Sequence, residues 1–178
     1  MRITLVVLIL SPIVLQCSVS RAEDGQTSLR MDMVEQVIAN IERTQHETRI
    51  STLDPAIVIA MAGIPRHEFV PEKLHPFAYF DIPLPVRYAQ NTSQPFLIAL
   101  MTQLAAVDKN NRVFETKSGS SYHAAIFLRL AARVFSVEVM KPLANSAARQ
   151  LKEMRYTNIE ARHADGFYGW KQHGPADA

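Results

Sequence analysis

The chain has 178 residues, of which 48% are hydrophobic, 20% charged and 8% aromatic. This is the composition of an ordinary globular domain, so collagen-like, low-complexity and wholly disordered chains are excluded. One cysteine excludes a disulfide framework and a cysteine-built zinc site. A formal charge of +2 is too small to indicate a nucleic-acid partner.

Residues 1–22 have the pattern of a secretory signal peptide. Arg2 precedes an apolar run over residues 3–10, and Ser20-Arg21-Ala22 offers a small-x-small cleavage site. The apolar core is short for a membrane span. We therefore expect export to the periplasm or the medium, a mature chain that begins at Glu23, and no stable membrane association after cleavage. The alternative is an uncleaved N-terminal anchor. Cleavage would remove the cysteine and leave equal numbers of basic and acidic side chains.

Residues 23–110 are predicted to form a helical and substrate-loop region. A polar leader over residues 23–30 precedes a helix in which Met31, Val34, Ile38 and Ile41 recur at helical spacing.

Further along this region, Asp54-Pro55 is typical of an N-cap and first turn, and the helix that it opens is predicted to end at Gly63. The proline-rich stretch over residues 65–85 is typical of a lid or binding loop. Ser93 is predicted to cap a helix from about Pro95 to Ala106.

Residues 111–178 are predicted to form a partial βαβαβ unit that binds a cofactor. Strands are expected over residues 112–116, 134–138 and 159–163, and helices over residues 120–131 and 142–154. Strands that alternate with helices of this length predict an α/β fold with a parallel sheet. Because the chain stops soon after the third strand, which would be left as an exposed edge, we expect a C-terminally truncated version of that fold.

Polar residues follow each predicted strand, where parallel sheets place their ligands. Gly119 lies in the turn after the first strand, Glu138 ends the second, 19 residues beyond it, and Asp165-Gly166 follows the third. A strand-end carboxylate commonly accepts hydrogen bonds from ribose hydroxyls. An ordinary loop, a solvated glutamate and a plain Asp-Gly turn are the alternatives. The six histidines show no metal-ligand spacing, so surface or satisfied histidines are expected and no metal site is predicted.

Several motifs together resemble the protein-L-isoaspartate O-methyltransferase family. They are Arg66-His67-Glu68-Phe69-Val70-Pro71, Asp81-Ile82-Pro83-Leu84-Pro85, Gln90-Asn91-Thr92-Ser93-Gln94-Pro95, Gly119-Ser120 with Tyr122, Ser136-Val137-Glu138, and Asp165-Gly166 with Gly169-Trp170. The likeness extends over roughly residues 31–178.

The resemblance implies a Rossmann-like methyltransferase that uses S-adenosyl-L-methionine to methylate the free carboxyl of isoaspartyl residues in damaged proteins, a repair reaction. It implies that Ser93 is the active-site serine. Glu115, Gly119 and Ser120 would belong to the turn that contacts the methionine part of the cofactor, Glu138 would bind the ribose, and Asp165 with Gly166 the adenine. The partners would be isoaspartyl peptides or proteins; the sequence does not indicate an oligomeric state.

The chain departs from this family pattern in its glycine-rich turn, where Lys117 and Ser121 replace two glycines. A side chain at a position that needs a positive φ costs on the order of 1 kcal/mol. We therefore expect weak cofactor binding. The alternative function is that of a catalytically inactive or truncated relative that at most binds peptides.

Overall fold

The computed structural model of the chain describes residues 13–116 and 119–178, and the side chains from residue 25 onward. Its helices are α1 (Ile13–Arg43), α2 (Gln45–Thr48), α3 (Pro55–Gly63), α4 (Pro95–Ala105), α5 (Tyr122–Leu130) and α6 (Lys141–Glu153). Its strands are β1 (Leu84–Pro85), β2 (Asn91–Thr92), β3 (Arg112–Thr116), β4 (Arg133–Glu138) and β5 (Ile159–His163). Short 3₁₀ turns cover Arg66–Phe69, Glu72–Phe77, Gly166–Tyr168 and Lys171–His173.

Strands β3, β4 and β5 form a parallel sheet with β4 in the middle. Helix α5 connects β3 to β4, and α6 connects β4 to β5, so the predicted βαβαβ unit is confirmed. The predicted bounds of the first and third strands match the structure, and the others differ by one or two residues.

The last two residues run along the edge of β3 that β4 leaves open. The Asp177 amide donates to the Arg112 carbonyl over 2.8 Å, and the Phe114 amide donates to the Ala178 carbonyl over 2.8 Å. The two segments run in the same direction, as in a parallel pair. Strand β3 therefore has hydrogen-bond partners on both sides, whereas β5 pairs with β4 alone among the described residues.

The N-terminal helix is longer than the sequence pattern suggests. Residues 23–30, predicted as a loose leader, are part of α1, so that prediction is wrong. The predicted stripe is confirmed at Val34 and Ile41, which are buried, but Met31 is 44% exposed and Met33 is fully buried in its place. Helix propensity does not explain this extension, because Asp24, Gly25, Thr27 and Ser28 are poor helix formers. Within the described residues, no helix combines the length and apolar character that crossing a membrane requires.

One hydrophobic core cluster packs the N-terminal helices against α5. It includes Met33 and Val37 of α1, Met61 of α3, Ile98 of α4 and Ile126 of α5. A smaller cluster packs Val113, Val134 and Leu151 between the sheet and α6. Helix α5 belongs to the larger cluster, so residues before and after the predicted boundary near residue 110 share one core. The boundary itself stays a prediction.

Candidate functional site

The carboxylate of Glu138 binds two backbone amides where β4 ends. Its Oε2 accepts from the Gly119 amide over 3.2 Å, and its Oε1 accepts from the Met140 amide over 2.9 Å. The side chain is 2% exposed. Each carboxylate oxygen has a second lone pair, so Glu138 can still accept from a ligand. The structure thus brings together Gly119 and Glu138, two of the predicted cofactor residues.

Glu115, at the same edge of the sheet, is a buried carboxyl on β3. The Ser136 hydroxyl donates to its Oε2 over 2.7 Å. Burial raises the pKa of Glu115 to about 7; the Ser136 hydrogen bond opposes this rise and the nearby Glu138 carboxylate adds to it. Glu115 can therefore hold a proton near neutral pH.

Asp165 and Gly166 form the turn that follows β5. The Asp165 side chain accepts from the Phe167 amide over 2.9 Å and caps the 3₁₀ turn. A Cβ atom at position 166 would lie 2.6 Å from Thr116 Cγ2 and 3.3 Å from Val137 Cγ2. Glycine is therefore required here because the turn lies directly against the ends of β3 and β4. The alternative of a plain Asp-Gly turn accounts for the cap but not for this close packing.

Ser93 follows β2 and is exposed, and the prediction that it caps α4 is wrong. The N-cap residue is Gln94, and its side chain makes no capping hydrogen bond. Within the described residues the Ser93 hydroxyl has no hydrogen-bond partner, so it is available to a ligand. The reason for the wrong prediction is that a residue from another segment satisfies the first turn of α4.

That residue is Asp81, in the proline-rich segment. Its Oδ1 accepts from the Phe96 amide over 2.8 Å, and its Oδ2 accepts from the Gln94 side-chain amide over 3.1 Å and from Asn40 of α1. A carboxylate at this place also interacts favourably with the positive end of the helix dipole. Asp81 therefore ties together α1, the irregular segment and the helix that begins beside Ser93.

Arg66 holds the same segment from inside. Its side chain is fully buried, and its guanidinium donates to the carbonyls of Ala78 (2.6 Å), Ile82 (3.1 Å) and Ser93 (3.0 Å). The guanidinium also lies 5.6 Å from the centre of the Tyr122 ring. These three carbonyls satisfy the two terminal nitrogens of the buried charge, while Arg66 Nε has no hydrogen-bond partner among the described residues. Arg66 thereby fixes the backbone of Ser93 relative to the first residue of α5.

Two cavities meet at this edge of the sheet. The serine cavity, of about 220 Å³, is bordered by Ser93, Glu115, Thr116, Gly119, Ser120 and His123, among others. The strand-end cavity, of about 500 Å³, is bordered by Thr116, Val137, Glu138, Met140, Asp165 and Gly166, among others. Thr116 lines both. The structure thus places four of the predicted site residues around the serine cavity and the other three around the strand-end cavity next to it.

The turn between β3 and α5 carries the departures noted in the sequence. Lys117 lies outside the described residues, so its expected effect on cofactor binding stays a prediction. Ser121 is fully buried and has a φ of +65°, in the left-handed region that favours glycine. Its hydroxyl has no hydrogen-bond partner within the described residues. Gly119 also has a positive φ, of +51°.

Sequence reasoning missed four residues that build the site: Arg66, Asp81, Thr116 and His123. The first two belong to the quoted motifs but received no role, because their partners are distant along the chain. Thr116 could have been found as the last residue of a strand. Among the described residues, no group of three His, Cys, Asp or Glu side chains is placed to hold a metal ion.

A parallel α/β sheet with ligand-sized cavities and a strand-end glutamate at its carboxyl edge is typical of a Rossmann-like fold. Similar solved structures identify the class as methyltransferase, among them the following two. One, named protein-L-isoaspartate O-methyltransferase, has a TM-score of 0.65 and 26% sequence identity, with 80% of this chain and 45% of that chain covered. The other is a protein from Plasmodium falciparum, named a putative protein-L-isoaspartate O-methyltransferase, in complex with S-adenosyl-L-homocysteine. Its TM-score is 0.59 at 18% identity, with 80% of this chain and 66% of that chain covered.

The sequence profile of the protein-L-isoaspartate(D-aspartate) O-methyltransferase family matches residues 34–178. The chain belongs to this family. Protein-L-isoaspartate O-methyltransferase 1 of Cupriavidus necator is 38% identical over 164 residues, which are 92% of this chain and 63% of that protein. Protein-L-isoaspartate O-methyltransferase 2 of Polaromonas sp. is 40% identical over 146 residues, 82% of this chain and 69% of that protein. The chain thus spans about two thirds of the length of these relatives. The predicted family and the predicted Rossmann-like α/β fold are confirmed.

Proposed function

We propose that the protein transfers a methyl group from S-adenosyl-L-methionine to the free carboxyl of isoaspartyl residues in damaged proteins. The observation that carries the proposal is that Thr116 lines two cavities: one is bordered by Ser93, whose hydroxyl has no hydrogen-bond partner among the described residues, and the other by Glu138. A cofactor that extends from the strand-end cavity past Thr116 into the serine cavity would bring its methyl group to a carboxylate bound at Ser93. Family membership supports the same reaction.

The strand-end cavity fits the nucleoside part of the cofactor. Glu138 has lone pairs left for ribose hydroxyls, and its carboxylate is fixed by the Gly119 and Met140 amides. Val137, Met140 and Phe167 offer apolar contact to a flat base beside Asp165 and Gly166. Gly119 and Ser120 border the neighbouring serine cavity, where the methionine part would lie. When bound, the cofactor supplies an electrophilic methyl group on a sulfonium.

The chain's own residues would bind and orient the acceptor. An isoaspartyl carboxylate is already ionised at neutral pH, so the reaction needs no general base. The Ser93 hydroxyl would donate to one carboxylate oxygen and so direct the other toward the methyl group. Arg66 and Asp81 keep Ser93 in position by holding its carbonyl and the helix that follows it. Orientation of this kind supplies much of the rate of a displacement between two bound groups.

The test compares Ser93→Ala with the parent chain in transfer of labelled methyl to an isoaspartyl peptide and to its aspartyl counterpart. Because Ser93 does not cap α4, its loss should change the free energy of unfolding by less than about 0.5 kcal/mol. We expect the rate with the isoaspartyl peptide to fall about tenfold, as the loss of one orienting hydrogen bond of roughly 1.4 kcal/mol would give. Equal rates in the two folded proteins would remove Ser93 from the mechanism, and no transfer by the parent would overturn the proposal.

A second candidate function is peptide binding without methyl transfer. It is favoured by the left-handed, buried Ser121, which stands in the turn that would contact the cofactor. Calorimetric titration of the parent with S-adenosyl-L-methionine distinguishes the two functions. Binding in the micromolar range supports the enzyme, and isoaspartyl peptide binding without cofactor binding supports the second function.

We further propose that residues 1–22 direct export and are then removed. The support is the apolar run and the Ser20-Arg21-Ala22 site in the sequence. Residues 1–12 lie outside the described residues. Mass spectrometry of the protein from a periplasmic or secreted fraction should find Glu23 as the first residue. An intact chain that starts at Met1 and stays in the cytoplasm would contradict export.

A further inference from the structure

His123 is the second residue of α5 and borders the serine cavity. Its ring stacks on Phe127, one turn later, with a centroid separation of 4.4 Å and an interplanar angle of 26°. Its Nε2 atom lies 3.0 Å from Thr102 Oγ1 of α4. These contacts from two helices fix both the plane and the rotation of the imidazole.

The hydrogen bonds of Thr102 determine which nitrogen of His123 carries a proton. The Thr102 hydroxyl donates its single hydrogen to the Ile98 carbonyl over 2.7 Å. Its oxygen is therefore an acceptor toward His123, so Nε2 carries the hydrogen and Nδ1 keeps a lone pair. Burial lowers the pKa of His123 to about 4, so the ring is neutral at physiological pH. No described residue donates to Nδ1.

A hydrogen-bond donor and an acceptor that border one cavity select a ligand by the spacing of its polar groups. In an isoaspartyl residue the free carboxyl is bonded to the same carbon that carries the backbone N–H. In an ordinary aspartyl residue a methylene group separates the free carboxyl from that carbon. Ser93 offers a donor and His123 an acceptor, so together they can distinguish these two arrangements.

We propose that His123 Nδ1 accepts a hydrogen bond from the backbone N–H of the isoaspartyl residue while Ser93 binds its carboxylate. His123 is then a specificity-determining residue, because the N–H of an aspartyl residue would be displaced from Nδ1 when its carboxyl is bound at Ser93. This assignment rests on the proposed function for its substrate class. It concerns the binding of the isoaspartyl peptide and not the transfer of the methyl group.

The test uses two peptides that differ only in this N–H: an isoaspartyl peptide, and the same peptide with a methyl group on the isoaspartyl nitrogen. Their dissociation constants are measured by calorimetry on the full chain in the presence of S-adenosyl-L-homocysteine. We expect N-methylation to weaken binding to the parent about tenfold, as the loss of one hydrogen bond would. In His123→Gln, which keeps a donor toward Thr102 but offers no acceptor at Nδ1, we expect N-methylation to change binding less than twofold.

His123→Asn is the matched variant, because its side-chain oxygen reaches the place of Nδ1, and it should regain part of the sensitivity to N-methylation. Equal effects of N-methylation on the parent and on His123→Gln would overturn the proposal. So would an unchanged affinity of the parent for the methylated peptide, a result that needs no variant to fold. A loss of S-adenosyl-L-homocysteine affinity in His123→Gln with unchanged peptide affinity would assign Nδ1 to the cofactor and also overturn it.

The measurement separates this proposal from the proposed function. A parent that binds the isoaspartyl peptide through its N–H but transfers no methyl group would overturn the activity and retain the role of His123. If the parent transfers methyl but N-methylation weakens peptide binding equally in the parent and in His123→Gln, the activity is retained and the role of His123 is overturned. A parent that binds no isoaspartyl peptide would overturn both.

Discussion

Gly166 and Thr116 pack so closely that a Cβ atom at position 166 would lie 2.6 Å from Thr116 Cγ2 and 2.9 Å from Thr116 Cβ. Thr116 ends β3, and Gly166 begins the turn that follows β5, so the contact crosses the end of β4. Thr116 also lines both the serine cavity and the strand-end cavity. The boundary between the two candidate ligand sites therefore depends on the absence of a side chain at position 166.

Gly166→Ala should destabilise the fold and distort the strand-end cavity. One methyl group forced against a packed strand end costs roughly 1–3 kcal/mol. We expect the free energy of unfolding, measured by urea denaturation, to fall by that amount, and affinity for S-adenosyl-L-homocysteine to fall with it.

Gly63→Ala is the matched control for this substitution. Gly63 ends α3, and a Cβ there would meet only the Arg129 side chain, at 3.8 Å. Alanine is the better helix former, so this variant should be as stable as the parent or up to about 1 kcal/mol more stable. Equal stabilities of the two variants would contradict the importance of the Thr116 contact.

Asp81→Ala should cost more stability than Asp54→Ala, although both remove a carboxylate from a helix N-terminus. Asp54 is an exposed local cap whose Oδ1 accepts from the Ala56 amide over 2.7 Å. Removal of such a cap costs about 1 kcal/mol. Asp81 accepts from a backbone amide and from two side chains of other segments, so we expect about 2–3 kcal/mol. Urea denaturation of both variants measures the difference, and similar losses would show that Asp81 acts as a simple cap.

The comparison of Asp54 with Asp81 also shows which parts of the fold the sequence could predict. The cap at Asp54 and the strands β3 and β5 depend on neighbours in the chain, and their predicted positions match the structure. The cap of α4 comes from 15 residues away, so local pattern placed it wrongly on Ser93. The helical residues 23–30 were missed because amphipathic spacing, which predicts the rest of α1, is absent from a polar stretch.

The sequence likewise pointed to part of the candidate site and missed the residues that act through tertiary contacts. Motif spacing singled out Gly119 and Glu138, and the structure joins them by a hydrogen bond of 3.2 Å; their roles toward a cofactor stay predictions. The roles of Arg66 and His123 depend on tertiary contacts: three carbonyls brought to one guanidinium, and a threonine on another helix that fixes a tautomer. Such arrangements leave no periodic signal in the sequence.

Ser121→Gly should stabilise the protein. Ser121 has a φ of +65°, is fully buried and leaves its hydroxyl without a partner among the described residues. Glycine removes both the strain of the left-handed backbone and the unsatisfied hydroxyl, and we expect a gain of about 1–2 kcal/mol in the free energy of unfolding.

Ser121→Ala separates the two causes, because it removes the hydroxyl but keeps a Cβ at a positive φ. If backbone strain costs more than the unsatisfied hydroxyl, the alanine variant should gain much less stability than the glycine variant. Combining Ser121→Gly with Lys117→Gly should strengthen binding of S-adenosyl-L-methionine, as measured by calorimetry, since both restore glycines of the family turn. A glycine variant less stable than the parent would show that the Ser121 side chain is well accommodated.

Glu115 should make the stability of the protein fall as the pH rises from about 4.5 to about 7. Its pKa in the folded protein is about 7, above its ordinary value of 4.5, chiefly because it is buried. In this range the folded chain keeps a proton that the unfolded chain has released, so a rise in pH favours unfolding. The largest loss in the free energy of unfolding, reached above pH 7, is roughly 3 kcal/mol.

Glu115→Gln keeps a neutral side chain at every pH and should remove this contribution. The check is urea denaturation of parent and variant at pH 5 and pH 8: the parent should lose more stability than the variant between the two, and parallel losses would show that Glu115 is ionised in the folded protein throughout.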